Sequence, residues 1–232
     1  VNLNINTDVQ EQIINNTTRS DLVLKYPINI NYQKTFLKRF IEYLEEQGSV
    51  IHDSLYEEYC RLVALPCNNV YFKHYSTEKS GKNIILKEDI HLISDGTTGL
   101  QTWQASLVLS EWILSNISHF NNKIIVELGS GIGLTGLAIS LYCTPKTVYL
   151  TDCHPSVLTA LCENIKINSG EICQKLGHVD LIIAADVIYD ASIFNSLICA
   201  VNCFFKNCGA DQFILSCTER NTETLSEFLL LI

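Results

Sequence analysis

At its centre the chain reads Lys123-Ile-Ile-Val-Glu-Leu-Gly-Ser-Gly-Ile-Gly-Leu-Thr-Gly136, and apolar residues then follow at helical spacing. A short β-branched run that meets glycines and a helix start is typical of the strand–turn–helix of a nucleotide-binding crevice. Gly129, Gly131 and Gly133 alternate in the turn. Such a turn needs positive φ angles and lets a ligand lie against bare backbone. The helix would direct its free N–H groups at that ligand.

A second buried strand is predicted at Thr147–Asp152, and it ends in a carboxylate. Asp152 follows Gly133 by 19 residues. A carboxylate at the tip of the second strand can accept hydrogen bonds from both hydroxyls of a ribose. The alternative is that Asp152 caps the helix that starts at Pro155. Both interpretations stay open at this point.

The third strong strand signal is Val179–Tyr189, where Ala184 and Ala185 precede Asp186. The small residues suggest close approach of a ligand ring. Asp186 and Tyr189 would stand at the carboxyl end of a strand, the edge where open α/β sheets place their chemistry. The alternative for Asp186 is an ordinary loop carboxylate.

Trp103 stands between a Gly/Thr-rich turn and a predicted helix. Tryptophan supplies both apolar area and a stacking face. Trp103 is therefore equally compatible with a core anchor and with a lid over a flat ligand.

The length of 232 residues fits one α/β domain with a modest extension. We predict a helical and hairpin N-terminal module over residues 1–96 and a catalytic domain over residues 97–232. Helical periodicity is clear at Tyr32–Gln47 and at Ser54–Leu65, where Val63 is placed on the buried side. Residues 1–20 are polar, and we expect a loosely held helix or a frayed end there.

Charge and cysteine usage exclude several classes of protein. The net charge is −9, and the residues from Thr97 onward include 6 basic and 12 acidic side chains. Proteins that bind a phosphate backbone carry basic patches instead, so we expect no nucleic acid. No CxxC pair and no usable ligand spacing occurs, so we expect no metal and reduced thiols in the cytoplasm. No apolar run approaches the roughly 20 residues of a membrane helix.

The glycine turn also satisfies GxGxxG between Gly131 and Gly136, so a dinucleotide dehydrogenase has to be weighed. That motif alone is weak. The strand ends in Glu127 and the glycines begin at Gly129, which gives an acidic-x-Gly-x-Gly-x-Gly pattern instead. Glu127 could accept hydrogen bonds from the amino-acid end of S-adenosylmethionine.

Together the motifs resemble the seven-strand S-adenosylmethionine-dependent protein-lysine methyltransferases with an Asp-x-x-Tyr motif, and within them the elongation factor 2 lysine methyltransferases. The residues that carry the resemblance are Thr97–Trp103, Glu111-Trp112, Glu127–Ala138, Thr151–His154 and Ala184–Tyr189. The resemblance implies a Rossmann-like sheet with a small helical N-terminal extension.

The resemblance also implies roles for individual residues. Asp186 and Tyr189 would shape the lysine entry, and Asp186 could orient the amine. The residues implied to bind the cofactor S-adenosylmethionine are Trp103, Glu127, Gly129, Ser130, Gly131, Gly133, Asp152 and Ala185. The substrate would be a lysine of elongation factor 2, and we expect the enzyme to be a cytoplasmic monomer.

The chain departs from the family pattern in the middle and at the end of the sheet. Only Ser169–Val179 lies where a third strand and a crossover helix belong, and such a crossover needs about a dozen residues by itself. No tryptophan follows Trp112, so an acidic-Trp contact to the adenine is missing. The last two strands are also expected to be absent from a C-terminally truncated domain. The alternatives are therefore a catalytically impaired binding protein and a methyltransferase of small molecules.

Overall fold

The computed structural model describes residues 5–77, 81–168 and 177–231. The chain divides into two compact units, Val1–His74 and Tyr75–Ile232. The boundary predicted from the sequence, between residues 96 and 97, differs from this division and stays a prediction.

Unit 1 is helical. Its elements are α1 (Thr7–Asn16), α2 (Asp21–Lys25), α3 (Ile30–Glu46) and α4 (Asp53–Ala64). The expectation of a loosely held start is wrong for α1, because the side chain of Asn6 caps the helix and Ile14 is fully buried. The polar composition hid this anchoring, because Gln10 is also fully buried and its side-chain amide bonds to the backbone of Ile5, Val50 and His52.

The core of unit 1 joins α1, α3 and α4. Its fully or nearly buried members are Ile14, Leu37, Ile41, Leu44, Leu55 and Leu62. Val63, which the sequence placed on the buried side of α4, is 53% exposed. Leu55 and Leu62 are two helical turns apart and define the buried stripe, and Val63 lies one residue outside it.

Unit 2 is an α/β unit. Its elements, after β1 (Val70–Ser76), which begins in unit 1, are β2 (Asn83–Asp89), α5 (Gln104–Ser115), α6 (Ile117–Phe120), β3 (Ile124–Leu128), α7 (Leu134–Tyr142), β4 (Thr147–Leu150), α8 (Pro155–Ile167), β5 (Leu181–Ala185), α9 (Phe194–Cys203), β6 (Gln212–Ser216) and α10 (Thr222–Leu229). A 3₁₀ turn precedes α9 and a π-helical turn follows it.

The main sheet has the strand order β4-β3-β5-β6, and every pair in it is parallel. The predicted Rossmann-like α/β architecture is therefore confirmed. Because all four strands run the same way, their carboxyl ends meet at one edge. The described residues place four strands in this sheet, and no further strand among them pairs with the outer edge of β4. The prediction of a missing third strand falls on residues 169–179, of which 169–176 lie outside the described residues.

Both faces of the sheet are buried. On one face, Ile125 and Ile183 pack with Leu109, Ile113 and residues of α6 and α7. On the other face, the neighbouring strand positions Val126 and Ile182 pack with Val201 of α9. Strand side chains alternate between faces, so a parallel sheet covered on both sides reads as a continuous apolar run.

Two asparagines of α8 pair with the backbone of β2. Asn164 Oδ1 accepts a hydrogen bond from Lys87 N–H at 2.8 Å, and Asn164 Nδ2 donates to Lys87 O and to Ile132 O. Asn168 pairs in the same way with Ile85 N–H and Ile85 O. Four residues of helix rise about 6 Å and two residues of strand about 6.6 Å, so the spacings match. The amides thus act as a strand partner for β2.

None of the described helices combines the length and the apolarity that crossing a bilayer would require.

Candidate functional site

The glycine turn lies between β3 and α7, as predicted. Gly129, Gly131 and Gly133 have φ angles of 66°, 51° and 98°. A Cβ on Gly133 would stand 2.6 Å from Leu161, and one on Gly129 would stand 2.7 Å from Val187. Both the backbone conformation and the crowding therefore require glycine at these positions.

Glu127 stands at the end of β3 and is almost completely buried. Its Oε2 accepts a hydrogen bond from the Gly136 N–H at 3.0 Å. Burial raises the pKa of Glu127 to about 7, and the hydrogen bond from the Gly136 amide acts in the opposite direction. One of the N–H groups in the first turn of α7, which the sequence predicted to be free for a ligand, is therefore already bonded to this carboxyl.

Asp152, just beyond β4, holds the glycine turn from the other side. Its Oδ2 accepts from Gly131 N–H at 3.1 Å, and its Oδ1 accepts from His154 N–H at 3.0 Å. Neither bond involves an amide of α8, so Asp152 does not cap that helix. Ser130 N–H donates to Thr151 O at 2.7 Å and ties the two strand ends together. Each carboxylate oxygen of Asp152 can still accept a further hydrogen bond.

A shallow cavity opens against the glycine turn. It is lined by Gln101, Thr102, Trp103, Ser106, Glu127, Gly129, Ser130, Gly131, Ile132, Gly133, Leu134 and Ala185. The indole N–H of Trp103 donates to Thr98 O at 3.0 Å, and the ring is only partly buried. Trp103 is thus a wall of the cavity and not a core anchor.

Asp186 follows β5 directly and is 8% exposed. Its φ angle is 60°, a left-handed conformation that is uncommon outside glycine. Arg220 donates to both carboxylate oxygens, from Nη1 at 2.7 Å and from Nη2 at 2.6 Å. The same guanidinium lies 5.0 Å from the centre of the Trp103 ring. Asp186 is therefore a paired carboxylate in this structure.

Tyr189 is 61% exposed and lines a second shallow cavity. The cavity is walled by Ile188, Tyr189, Cys217, Thr218, Glu219, Arg220, Asn221, Thr224 and Leu225. Partial burial raises the pKa of Tyr189, and the charges of Cys153, Asp190 and Asp152 raise it further. The hydroxyl is consequently a neutral donor at physiological pH.

The structure thus brings most of the predicted residues to one sheet edge. All the predicted cofactor residues line the first cavity, except Asp152, which contacts it through the Gly131 amide. Tyr189 belongs to the second cavity, and Asp186 is joined to both through Arg220. These roles in binding and catalysis stay predictions.

Sequence reasoning missed Arg220. The signal was present, because Arg220 follows β6 by four residues and the carboxyl ends of parallel strands share an edge. A basic side chain at that position faces the strand that ends in Asp186.

No group of three or more His, Cys, Asp or Glu side chains with metal-binding geometry occurs within residues 5–77, 81–168 and 177–231.

Residues 78–232 match the model of a family described as lysine methyltransferase. The human protein-lysine N-methyltransferase EEF2KMT is 30% identical over an alignment that covers 96% of this chain and 76% of that protein. Bovine EEF2KMT is 35% identical over 67% of this chain and 46% of its own length. The chain thus spans about half of the bovine protein.

A fungal protein gives a similar result. The protein-lysine N-methyltransferase EFM3 of Chaetomium thermophilum is 29% identical, and the alignment covers 82% of this chain and 66% of EFM3.

Proposed function

The chain belongs to the lysine methyltransferase family, and on that premise we propose that it methylates a lysine of elongation factor 2. S-adenosylmethionine is the methyl donor that goes with this family. The choice of elongation factor 2 is supported by the similarity to the human protein-lysine N-methyltransferase EEF2KMT. The proposal includes a cytoplasmic monomer that acts on protein and not on nucleic acid, in keeping with the net charge of −9.

The residues that line the first cavity fit the cofactor in chemistry. Gly129, Gly131 and Gly133 form a cradle that side chains would fill. Glu127 places a carboxyl beside this cradle, where the ammonium of an amino acid would find a partner. Trp103 lines the same cavity and offers an aromatic surface.

Each predicted binding residue has a role that its position allows. Glu127, Gly129, Ser130, Gly131 and Gly133 would hold the amino-acid and ribose side. Asp152 would accept from the ribose hydroxyls, Ala185 would border the adenine, and Trp103 would cover the crevice.

The chemistry asks for alignment more than for proton transfer. When bound, S-adenosylmethionine supplies an electrophilic methyl group on a positively charged sulfur. The acceptor must be the neutral lysine amine, because the ammonium form has no lone pair. Lysine has an unperturbed pKa near 10.4, so the site must favour loss of a proton. Burial of the lysine side chain beside Tyr189 would lower the pKa of its amine.

The observation that carries the proposal is that the glycine turn and the carboxyl of Glu127 line one cavity at the sheet edge where Asp186 and Tyr189 also lie. The chain that carries this arrangement belongs to the lysine methyltransferase family. The test incubates the purified chain with tritiated S-adenosylmethionine and recombinant elongation factor 2. We expect label in elongation factor 2 and none in the same factor after its lysine amines have been acetylated.

Two other outcomes would contradict the proposal. Binding of S-adenosylhomocysteine in a calorimeter without any transfer would support the catalytically impaired binding protein. Label in an extractable metabolite from a cell lysate, with none in protein, would support a methyltransferase of small molecules.

A further inference from the structure

Arg220 stands between the two cavities. It lines the second cavity, while its guanidinium faces the ring of Trp103, which lines the first. It also donates a hydrogen bond to each carboxylate oxygen of Asp186. The side chain of Asp186 is 5% exposed and that of Arg220 is 42% exposed, so the pair has a buried end and an open end.

A carboxylate beside an aromatic face is a cation site. Carboxylates form their strongest hydrogen bonds with cationic donors, and aromatic faces attract ammonium and guanidinium groups. Asp186 and Trp103 supply both elements, and a side chain of the chain itself fills the space between them. The amide of Thr218 adds a weak contact to Asp186 at 3.4 Å.

We propose that Arg220 is an internal counter-ion that keeps this cation site closed to ammonium groups, so that the acceptor lysine is admitted as a neutral amine. Arg220 is then a positioning residue that acts through Asp186. The inference about the amine rests on the proposed function. In this inference the guanidinium of Arg220, which donates to both carboxylate oxygens, holds the place beside Asp186 that the sequence-based prediction gave to the amine.

Among the described residues, thiols and carboxyls lie on the second-cavity side of this pair. Cys217 and Glu219 lie on the loop with Arg220, and burial together with the charges of Asp186 and Glu219 raises the pKa of Cys217. Asp190 follows Tyr189, and Asp152 and Cys153 follow β4. An unpaired Asp186 in these surroundings would stabilise the ammonium form of any amine beside it.

The first experiment measures binding of butylammonium chloride to the full chain. Trp112→Phe leaves Trp103 as the only tryptophan, and its fluorescence is followed. We expect weak binding to the parent and about tenfold or tighter binding to Arg220→Gln, because one unit of pKa corresponds to a tenfold change. Arg220→Lys should behave like the parent. The double variant Asp186→Asn with Arg220→Gln should lose the gain.

Two results of this titration would overturn the inference. One is equal binding to the parent and to Arg220→Gln, and the other is a gain that survives in the double variant. Arg220→Met keeps the apolar stem over Trp103 and provides the same comparison if Arg220→Gln does not fold.

The second experiment is the pH profile of methylation of elongation factor 2. In Arg220→Gln we expect the rising limb to move up by about 1 pH unit, because an unpaired carboxylate raises the pKa of a nearby amine. The double variant Asp186→Asn with Arg220→Gln should have its rising limb at the same pH as the parent. A uniform loss at every pH would indicate a purely structural role and contradict the inference. Absence of transfer by the parent would refute the proposed function, while the butylammonium titration would still decide the role of Arg220.

Discussion

At the scale of single residues, Glu127 serves the fold and the proposed site at once. Its carboxyl is buried and accepts from the Gly136 amide, and burial raises its pKa to about 7. In an unfolded chain a glutamate has a pKa near 4.3. Between these two values the folded protein holds a proton that the unfolded chain has lost. Stability must therefore fall as pH rises through this window.

Glu127→Gln removes this titration. We expect the free energy of unfolding of the variant, minus that of the wild type, to rise by about 3 kcal/mol between pH 4.5 and pH 8. Urea unfolding at several pH values measures it. Glu111→Gln, at an exposed position on α5, is the control and should show a flat difference. A flat difference for Glu127→Gln as well would contradict the raised pKa.

Asp152→Asn tests the ribose contact. We expect binding of S-adenosylhomocysteine to weaken by about 10- to 100-fold, since a hydrogen bond to a charged group contributes about 1.5–3 kcal/mol. Isothermal titration measures the affinity. Asp190→Asn is the matched control, because Asp190 also accepts from the amide two residues further on but lines neither cavity. Equal affinities for Asp152→Asn and the wild type would remove Asp152 from the site.

Residue chemistry also explains how far sequence alone could go. The glycine turn, Glu127 and the strands that end near Asp152 and Asp186 follow from local periodicity and from the need for positive φ. Arg220 could not be paired with Asp186 from local signals, because 34 residues separate them. The exposure of Val63 and the burial of Ile14 likewise depend on how helices pack, and a helix alone does not specify this.

At the scale of elements, the β3–α7 turn and the α8–β2 contact hold the crevice in shape. The turn is fixed by backbone conformation and by crowding against α8 through Leu161. Asn164 connects α8 to β2 and also to Ile132 in the turn. A change in α8 is therefore transmitted to the wall of the first cavity.

Gly133→Ala tests how much of the requirement for glycine in the turn comes from steric contact with Leu161. Gly96 has a positive φ of 79° but no atom within 4 Å of a built Cβ, so Gly96→Ala measures the backbone cost alone. We expect about 1–2 kcal/mol of destabilisation for Gly96→Ala, and about 1–3 kcal/mol more for Gly133→Ala. Equilibrium unfolding compares them. Equal losses would show that Leu161 moves aside without cost.

Asn164→Ala tests the strand-like pairing of α8 with β2. The side chain is fully buried, so its removal leaves three backbone groups unpaired and should cost about 2–4 kcal/mol. Hydrogen exchange gives the sharper result, because the Lys87 amide should exchange faster in Asn164→Ala and the Ile85 amide faster in Asn168→Ala. Identical protection of both amides in the two variants would contradict separate pairing.

At the scale of the whole molecule, the two units carry carboxyls that respond to acid in opposite ways. Glu58 in unit 1 is buried, which alone would raise its pKa, but hydrogen bonds from Arg61 and Arg19 hold the pKa at about 2. A carboxyl whose pKa is lower in the folded protein than in the unfolded chain stabilises the fold at pH values above the unfolded pKa. This stabilisation is lost as the pH falls toward 2. Glu127 in unit 2 has a raised pKa, so its contribution to stability is present at low pH and is lost as the pH rises toward 7.

Glu58→Gln should therefore be most damaging near neutral pH. We expect its deficit in free energy of unfolding, relative to the wild type, to shrink by about 3 kcal/mol between pH 5 and pH 2. Hydrogen exchange of amides in α3 and α4, corrected for intrinsic rates, assigns the change to unit 1. A deficit that stays constant with pH would show that the ion pairs with Arg19 and Arg61 do not set the pKa.

The distance along the chain between Asp186 and Arg220 has a consequence for biosynthesis. A ribosome delivers β5 and Asp186 first, and Arg220 emerges 34 residues later. During that interval the nascent chain holds a strand with one open edge and a carboxylate without its guanidinium, since β6 is still inside the exit tunnel. The proposed methylation centre is thus completed only after Arg220 has left the ribosome, and a cation or a chaperone has the opportunity to occupy that strand end first.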